Sequence, residues 1–404
     1  MDAVRLAQRN SPTTVQAAGT TRSNSASVRT AYLSFIPSLN FSSGASKNNG
    51  DRFDTQGNLV PFTGAAWSYS SGVRMNLELF DGGNRLFRLR SAKANVNASE
   101  SNETLQQFNV ALNVKQQYYA VLAARESESA AKAQHEQASE QLKTASAKVA
   151  AGAATKSDSL RAVIQVGNAQ LALIQAKNNL NIANASLTRL VATPFVVTAT
   201  PEDSSESIEL EADSTVIASL ALRGPAVQQS EAAHAAAKAN VRGALTPYLP
   251  TVSMSFNRGG NGLDSRFGWG DDRYAYSQTM SFNMSFPFFN QGAREEQIVR
   301  SRVAEDNAAA QLRDQRFLAQ QQLTTYLSAF RSAEQRVQIQ LASVEAAEED
   351  LRVQQRRYQL GASTFLDVLS SQLTLNQARS ALIQARFDAR VAKAQIETLT
   401  GKDM

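Results

Sequence analysis

The chain has 404 residues, 43% of them hydrophobic and 19% charged, which is too apolar for a disordered polymer. Cys is absent and there are only 2 His, so disulfides, thiolate zinc sites, cysteine nucleophiles and histidine-rich metal centres are excluded. The formal net charge of +5 comes from 41 basic and 36 acidic residues scattered along the chain, which reads as a mixed solvated surface and not as a nucleic-acid footprint.

Met1-Asp2-Ala3-Val4-Arg5-Leu6 carries no basic stretch followed by an apolar one, so no signal peptide is expected here. No apolar run of about 18 residues follows, and no transmembrane helix is expected. The first element is a helical stretch over about 2–31. Two strands follow, at about 33–43 and 66–80, joined by a loop at about 44–65. In the second strand Trp67, Tyr69, Val73, Met75, Leu77 and Leu79 alternate with Ser68, Ser70, Gly72, Arg74, Asn76 and Glu78. This period of two makes one apolar and one polar face. A long helix is predicted at about 84–145, then a tight turn at Gly152, then a returning helix at about 157–192. The returning helix carries Val166, Ala169, Leu173, Ala176, Leu180, Ala183, Leu187 and Leu190 at alternating spacings of three and four, the seam of a coiled coil. A Pro-, Thr-, Ser- and acid-rich segment at about 193–215 links this half to the next.

The second half repeats the order. A helical stretch at about 216–245 precedes strands at about 248–257 and 273–288, with a loop at about 258–272. Tyr274, Tyr276, Met280, Phe282, Met284, Phe286 and Phe288 share a face of the last strand. Long helices follow at about 292–357 and 364–400, the latter with Leu375, Ala378, Leu382, Ala385, Ala389, Ala392, Ile396 and Leu399 on its seam. A constant offset carries Ala172-Leu173-Ile174-Gln175-Ala176-Lys177 onto Ala381-Leu382-Ile383-Gln384-Ala385-Arg386, Gly152 onto Gly361, Thr155 onto Thr364, Asp158 onto Asp367 and Phe80 onto Phe289. The chain is therefore read as two repeats, 1–192 and 216–404, around the 193–215 linker.

Size and edges set the architecture. A helix over about 84–145 is roughly 93 Å long at about 1.5 Å per residue. A globule of this length is only about 55 Å across, so an elongated molecule is expected. Four strands with a continuous apolar face are too few for a barrel, which takes about eight or more. Aromatics gather at the two ends of that face: Trp67 and Tyr69 at one, Phe80, Phe286 and Phe288 at the other. They are candidate membrane-interface residues, as in a lipid-facing strand, so several chains are expected to donate strands to one barrel; a sheet whose apolar face is covered by a helix is the alternative.

With these residues in place, the sequence resembles the TolC family of outer-membrane channels. The resemblance rests on the opening Ala3–Pro12 stretch, the transitions at Pro37 and Pro250 and the turns Phe80-Asp81-Gly82-Gly83-Asn84-Arg85 and Phe289-Asn290-Gln291-Gly292-Ala293-Arg294. The tips Gly152-Ala153-Ala154-Thr155 and Gly361-Ala362-Ser363-Thr364 complete it. It implies a mixed α+β, mostly α fold: a homotrimer with a twelve-stranded barrel, four strands per protomer, continuing into a periplasmic coiled-coil helical barrel. It implies a mature chain, without its export signal, in the outer membrane of a Gram-negative bacterium. There it would act as the passive exit duct of a tripartite efflux pump or type I secretion system. Its partners would be outer-membrane lipid, a periplasmic membrane-fusion adaptor and, through that adaptor, an inner-membrane pump. No cofactor, metal, catalytic residue or nucleic acid is expected. A soluble periplasmic coiled-coil adaptor or scaffold is the alternative.

The gate candidates are Asp367, Tyr358 and Asp158. Ser370 and Ser363 stand where the family often has a second Asp and a basic residue, so a reduced charged latch is expected. Gly152, Ala153, Gly361 and Ala362 are the candidate adaptor-docking tips. Plain chemistry offers a second account of several of these. Asp158 and Asp367 each follow a Thr by three residues at a helix start, which suits capping, and the two glycines suit sharp turns.

Overall fold

Proline and glycine punctuation decides where this mostly helical chain changes direction. The computed structural model describes residues 2–47, 51–61, 67–200, 214–264 and 275–402. The first helical stretch is two helices, α1 (Asp2–Asn10) and α2 (Pro12–Leu33). Pro12 has no N–H to donate back into α1, but suits the first position of α2. The second stretch divides likewise into α5 and α6, described below.

Strand β1 runs Ser38–Lys47, so residues 33–37 are not strand as expected but the end of α2 and a turn closed by Pro37. Inside the expected loop, Asp51–Phe53 (β2) and Leu59–Pro61 (β3) pair as a hairpin. Its turn is held by Asp54, whose Oδ1 accepts the N–H groups of Gln56 and Asn58, both at 2.8 Å. Strand β4 spans Trp67–Phe80, and the long helix α3 spans Asn84–Ala150. After the tip come α4 (Lys156–Val191), α5 (Ser214–Ala221) and α6 (Pro225–Ala244). Of the expected linker, residues 201–213 lie outside the described residues.

The third strand starts later than expected. Thr246–Tyr248 is a 3₁₀ turn, Pro250 follows, and β5 runs Thr251–Asp264. The loop expected at 258–272 is thus strand as far as 264: Gly259, Gly260 and Gly262 sit in the ladder opposite Gly72, Ser71 and Tyr69. Pairing on both sides overrides the weak strand preference of glycine. Strand β6 is Ala275–Ser285, shorter than expected because Pro287 cannot donate to a ladder; Tyr274 lies outside the described residues. The chain closes with α7 (Ala293–Gln359) and α8 (Phe365–Thr400).

β1, β4, β5 and β6 form one antiparallel sheet in the order β1-β4-β5-β6. Directly paired residues share a face, so the register tests the alternation. Leu39, Met75, Phe256 and Met280 form one row across the sheet, and Leu77, Met254 and Phe282 the next. The opposite face carries the rows Ser38–Asn76–Ser255–Ser281 and Asn40–Arg74–Asn257–Thr279. One detail differs from simple alternation. The register shifts between Glu78 and Phe80, so Phe80 and not Leu79 faces Val252 and Met284. A bulge adds a residue to one strand and flips the faces beyond it.

The described chain forms two compact units, each drawing on both halves of the sequence. The unit of residues 22–98 and 232–310 holds the sheet and the helix segments next to it. The unit of residues 1–21, 99–231 and 311–404 is helical and contains both hairpin turns. Nine of the sixteen expected seam positions are buried in it, namely Ala169, Ala176, Leu187, Leu375, Leu382, Ala385, Ala389, Ala392 and Ile396, beside Val114, Val121 and Leu122 of α3. Alanine at these positions lets helix axes approach closely. α8 also buries Arg390 and Glu397. The Glu397 carboxylate accepts from Lys115 Nζ at 2.6 Å, so that charge enters the interior paired.

Candidate functional sites: the hairpin tips and the apolar sheet face

Each tip is built by backbone rules before any function is invoked. At the first, Gly152 takes φ +69° and Ala153 N–H donates to Lys148 O at 2.8 Å, closing α3. At the second, Gly361 takes φ +77° and Ala362 N–H donates to Arg357 O at 2.8 Å, closing α7. These are left-handed C-terminal turns that only glycine adopts without strain. Gly152, Ala153, Gly361 and Ala362 are all exposed.

The next residues start the returning helices with matching capping boxes. Thr155 N–H and Oγ1 donate to Asp158 Oδ2 at 3.2 and 2.9 Å, while Asp158 N–H donates back to Thr155 Oγ1. Thr364 and Asp367 repeat this, with both donations to Asp367 Oδ2 at 2.8 Å. These bonds, with the Arg357 charge behind them, hold the Asp367 carboxyl below its ordinary pKa; the backbone N–H of Thr364 is the largest cause. The cap therefore keeps Asp367 ionised, and its side chain is exposed. Ser370 is exposed one turn on, whereas the Ser363 hydroxyl turns back to donate to Gln354 O at 3.3 Å.

Tyr358 is half-buried, its ring 5.7 Å from that of Phe365. Burial raises the pKa of its phenol, and the nearby Asp158 carboxylate adds to the shift. Two features of the tips are absent from the sequence reading. Lys148 Nζ lies 4.2 Å from the Tyr358 ring centroid and donates to the carbonyls of Tyr358 and Gln359. A cation from α3 thus satisfies the last carbonyls of α7. Lys148 stands in the last turn of α3, but its partners lie on another helix. The second feature is Leu360, 83% exposed at the second tip, where the first has Ala151. Arg357 adds a bond to Ala362 O at 3.3 Å.

The other candidate surface is the apolar face of the sheet. Leu39 and Phe41 on β1 and Met280, Phe282 and Met284 on β6 are among its exposed large side chains, with Leu39 at 71%. At one end, Phe80, Phe286 and Phe288 are exposed, and the rings of Phe286 and Phe288 meet edge-on at 5.1 Å. At the other end Trp67 is half-buried, with Lys47 Nζ 5.9 Å from its ring. Tyr69 departs from expectation. It is 2% exposed, so it is not a surface aromatic of this chain. Its cross-strand neighbours are Ala45 and Gly262, small residues that leave room for the ring to lie down.

Among the described residues no helix is long and apolar enough to cross a membrane, and no group of His, Cys, Asp or Glu is placed to hold a metal. The polar chemistry gathered at the tips is capping and ion pairing.

The described chain is mostly helical, with a four-stranded sheet that exposes an apolar face and a short separate hairpin. The chain belongs to the outer membrane efflux protein family: the family model described as "Outer membrane efflux protein" matches residues 3–193 and 216–402. The chain is 27% identical over 372 residues to the pyoverdine export outer membrane protein OpmQ of Pseudomonas aeruginosa, covering 91% of this chain and 77% of that protein. Its fold matches a crystal structure of CusC with a TM-score of 0.83 at 18% identity, covering 99% of this chain and 91% of the other. The Campylobacter jejuni CmeC outer membrane channel matches with a TM-score of 0.82 at 18% identity, covering 99% and 85%.

Proposed function

We propose that this protein is the passive exit duct of a tripartite export system, assembled as a homotrimer in the outer membrane of a Gram-negative bacterium. The observation that carries this reading is the sheet. It has an exposed apolar face, and its outer strands β1 and β6 each pair on one side only among the described strands. An open sheet of this kind is unstable alone in water or lipid. Pairing β6 of one copy with β1 of the next, three times over, removes every edge and makes a twelve-stranded barrel wide enough for an aqueous lumen. The two 67-residue helices α3 and α7 and the two 36-residue helices α4 and α8 support the two-repeat reading, with repeats 1–192 and 216–404 and the 193–215 segment as an equatorial belt.

The helices extend the duct into the periplasm and end at the tips. There Asp367, present three times, lines the aperture; three carboxylates around a narrow pore attract cations and repel anions. Tyr358 and Asp158 support the same constriction, with Ser370 and Ser363 as its uncharged positions. The exposed turns at Gly152-Ala153 and Gly361-Ala362, with Leu360, receive the periplasmic adaptor, and the inner-membrane pump joins through that adaptor. Adaptor contacts that differ between closed and open states shift the duct open. Passive conduction of the cargo needs no catalysis. Electron microscopy of the full chain in nanodiscs tests the reading. A threefold particle with a hollow axis is expected; a compact monomer without a membrane-embedded part refutes it.

A further inference from the structure

The charge on the helices beside the sheet is one-sided. Helix α2 has Arg22 and Arg29 and no acid, and α3 opens with Arg85, Arg88, Arg90 and Lys93 before its first acid, Glu100. The one carboxylate just ahead, buried Asp81, is committed. It accepts from the N–H groups of Gly83 at 3.1 Å and Arg85 at 2.7 Å, and from Arg85 Nε at 3.2 Å. The start of a helix carries a positive field and favours acids. Arg85 lies in that first turn against the local preference, and Arg88, Arg90 and Lys93 follow it with no acid between them. The matching start of α7 follows it, with Glu295 and Glu296 after Arg294 and an Arg300–Glu296 pair at 2.6 Å.

These cations sit among exposed apolar groups. Tyr32, Leu33, Phe35 and Ile36 at the end of α2 are exposed, as is Leu86. Lys93 Nζ lies 5.2 Å from the Tyr32 ring, and the Arg85 and Arg90 guanidinium groups lie 5.0 and 5.6 Å from the Phe35 and Phe87 rings. The segment runs directly into Leu39 and Phe41, the exposed apolar edge of β1. Arg90 and Lys93 are exposed and have no acidic partner among the described residues. Aromatic rings and cations at the edge of an apolar band are the chemistry of a membrane–water boundary.

We propose that Arg90 and Lys93, with the Tyr32–Ile36 segment, bind the phosphate groups of anionic phospholipid at the helix-side boundary of the bilayer. The proposal rests on the membrane reading of the sheet. Arg90 and Lys93 lie roughly 9 and 14 Å along α3 from its first residue, a depth that long side chains bridge to a headgroup layer about 5–7 Å thick. Each cation near an anionic surface raises affinity about fivefold. Of the other helix segments in this unit, α7 mixes acids and bases from Arg294, Glu295 and Glu296 to Arg302, Glu305 and Asp306, whereas α6 adds Lys238 and Arg242 without an acid.

The test reconstitutes the full chain in nanodiscs of phosphatidylcholine, with or without one part in four of phosphatidylglycerol, and measures thermal unfolding. Phosphatidylglycerol is expected to raise the midpoint of the unmodified chain by a few degrees, less so at high salt. The shift is expected to shrink in R90Q and in K93Q, fall furthest in the double variant, and persist in R331Q, which removes an exposed cation of α7 in the helical unit. Native mass spectrometry, counting retained phosphatidylglycerol on each single variant, gives the same ranking independently of stability. Equal midpoints in the two lipids, a shift undiminished in the double variant, or a shift reproduced by inorganic phosphate at matched ionic strength overturns the proposal. Failure of the unmodified chain to enter nanodiscs of either lipid is seen first, and overturns the membrane reading together with this one.

Discussion

At the scale of single residues, the tips separate conformational cost from packing. A Cβ on Gly361 meets nothing within 4 Å, yet the backbone there has φ +77°. Gly361→Ala should therefore cost about 1–2 kcal/mol from the left-handed conformation alone, measured by denaturant unfolding, with Gly152→Ala close to it. Asp367 carries a pH signature. Its folded carboxyl titrates below the ordinary value of 3.8, so the cap contributes stability above that value and loses it as the pH falls through the depressed folded pKa. Asp367→Asn should flatten that acid limb relative to the unmodified chain; parallel acid-unfolding curves would contradict the cap seen here. The same carboxylate is a cap and a candidate gate because a capping box holds it ionised and leaves it exposed.

At the scale of elements, the sheet register makes a paired prediction. Phe282 lies in the apolar row with Leu77 and Met254, and its neighbour Asn283 lies opposite Ser253 and Glu78 on the polar face. Phe282→Arg should destabilise folding into lipid vesicles by about 2–4 kcal/mol, while Asn283→Arg should be nearly neutral. Urea titration of both variants in vesicles decides it, and equal costs would mean that the faces do not separate lipid from lumen. The helical elements show a different constraint. A Cβ on Gly224 would stand 2.0 Å from Leu399 O, so the α5–α6 turn is pressed onto α8 backbone to backbone. Here glycine is demanded by close approach and not by dihedral angle.

At the scale of the whole molecule, the proposed threefold duct would carry each proposed aperture residue three times. On that proposal three Asp367 carboxylates make the channel cation-preferring, and Asp367→Asn should lower the cation-to-anion permeability ratio measured by reversal potential in planar bilayers. An unchanged ratio would remove Asp367 from the constriction and leave it as a cap.

What the amino-acid order determined by itself was everything carried by local period and local turn chemistry. The alternating faces of β4 and β6, the three-four seam of α4 and α8, and the Gly-Thr-Asp landmarks of both tips were all legible. Each is written within about a dozen residues, and the backbone geometry of helix and strand converts it directly into a face or a turn. The ends of β1, β5 and β6 were less legible, because Pro37, Pro250 and Pro287 stop strands that apolar alternation continues. Only the tertiary structure decided what depends on partners distant in the chain. The bulge that puts Phe80 in place of Leu79, the burial of Tyr69 beside Ala45 and Gly262, and the reach of Lys148 across to Tyr358 are such cases. So is the burial of Glu397 against Lys115. A side chain's period says which way it points, but its exposure and its charge partner are set by whichever surface arrives opposite, and that surface comes from elsewhere in the chain.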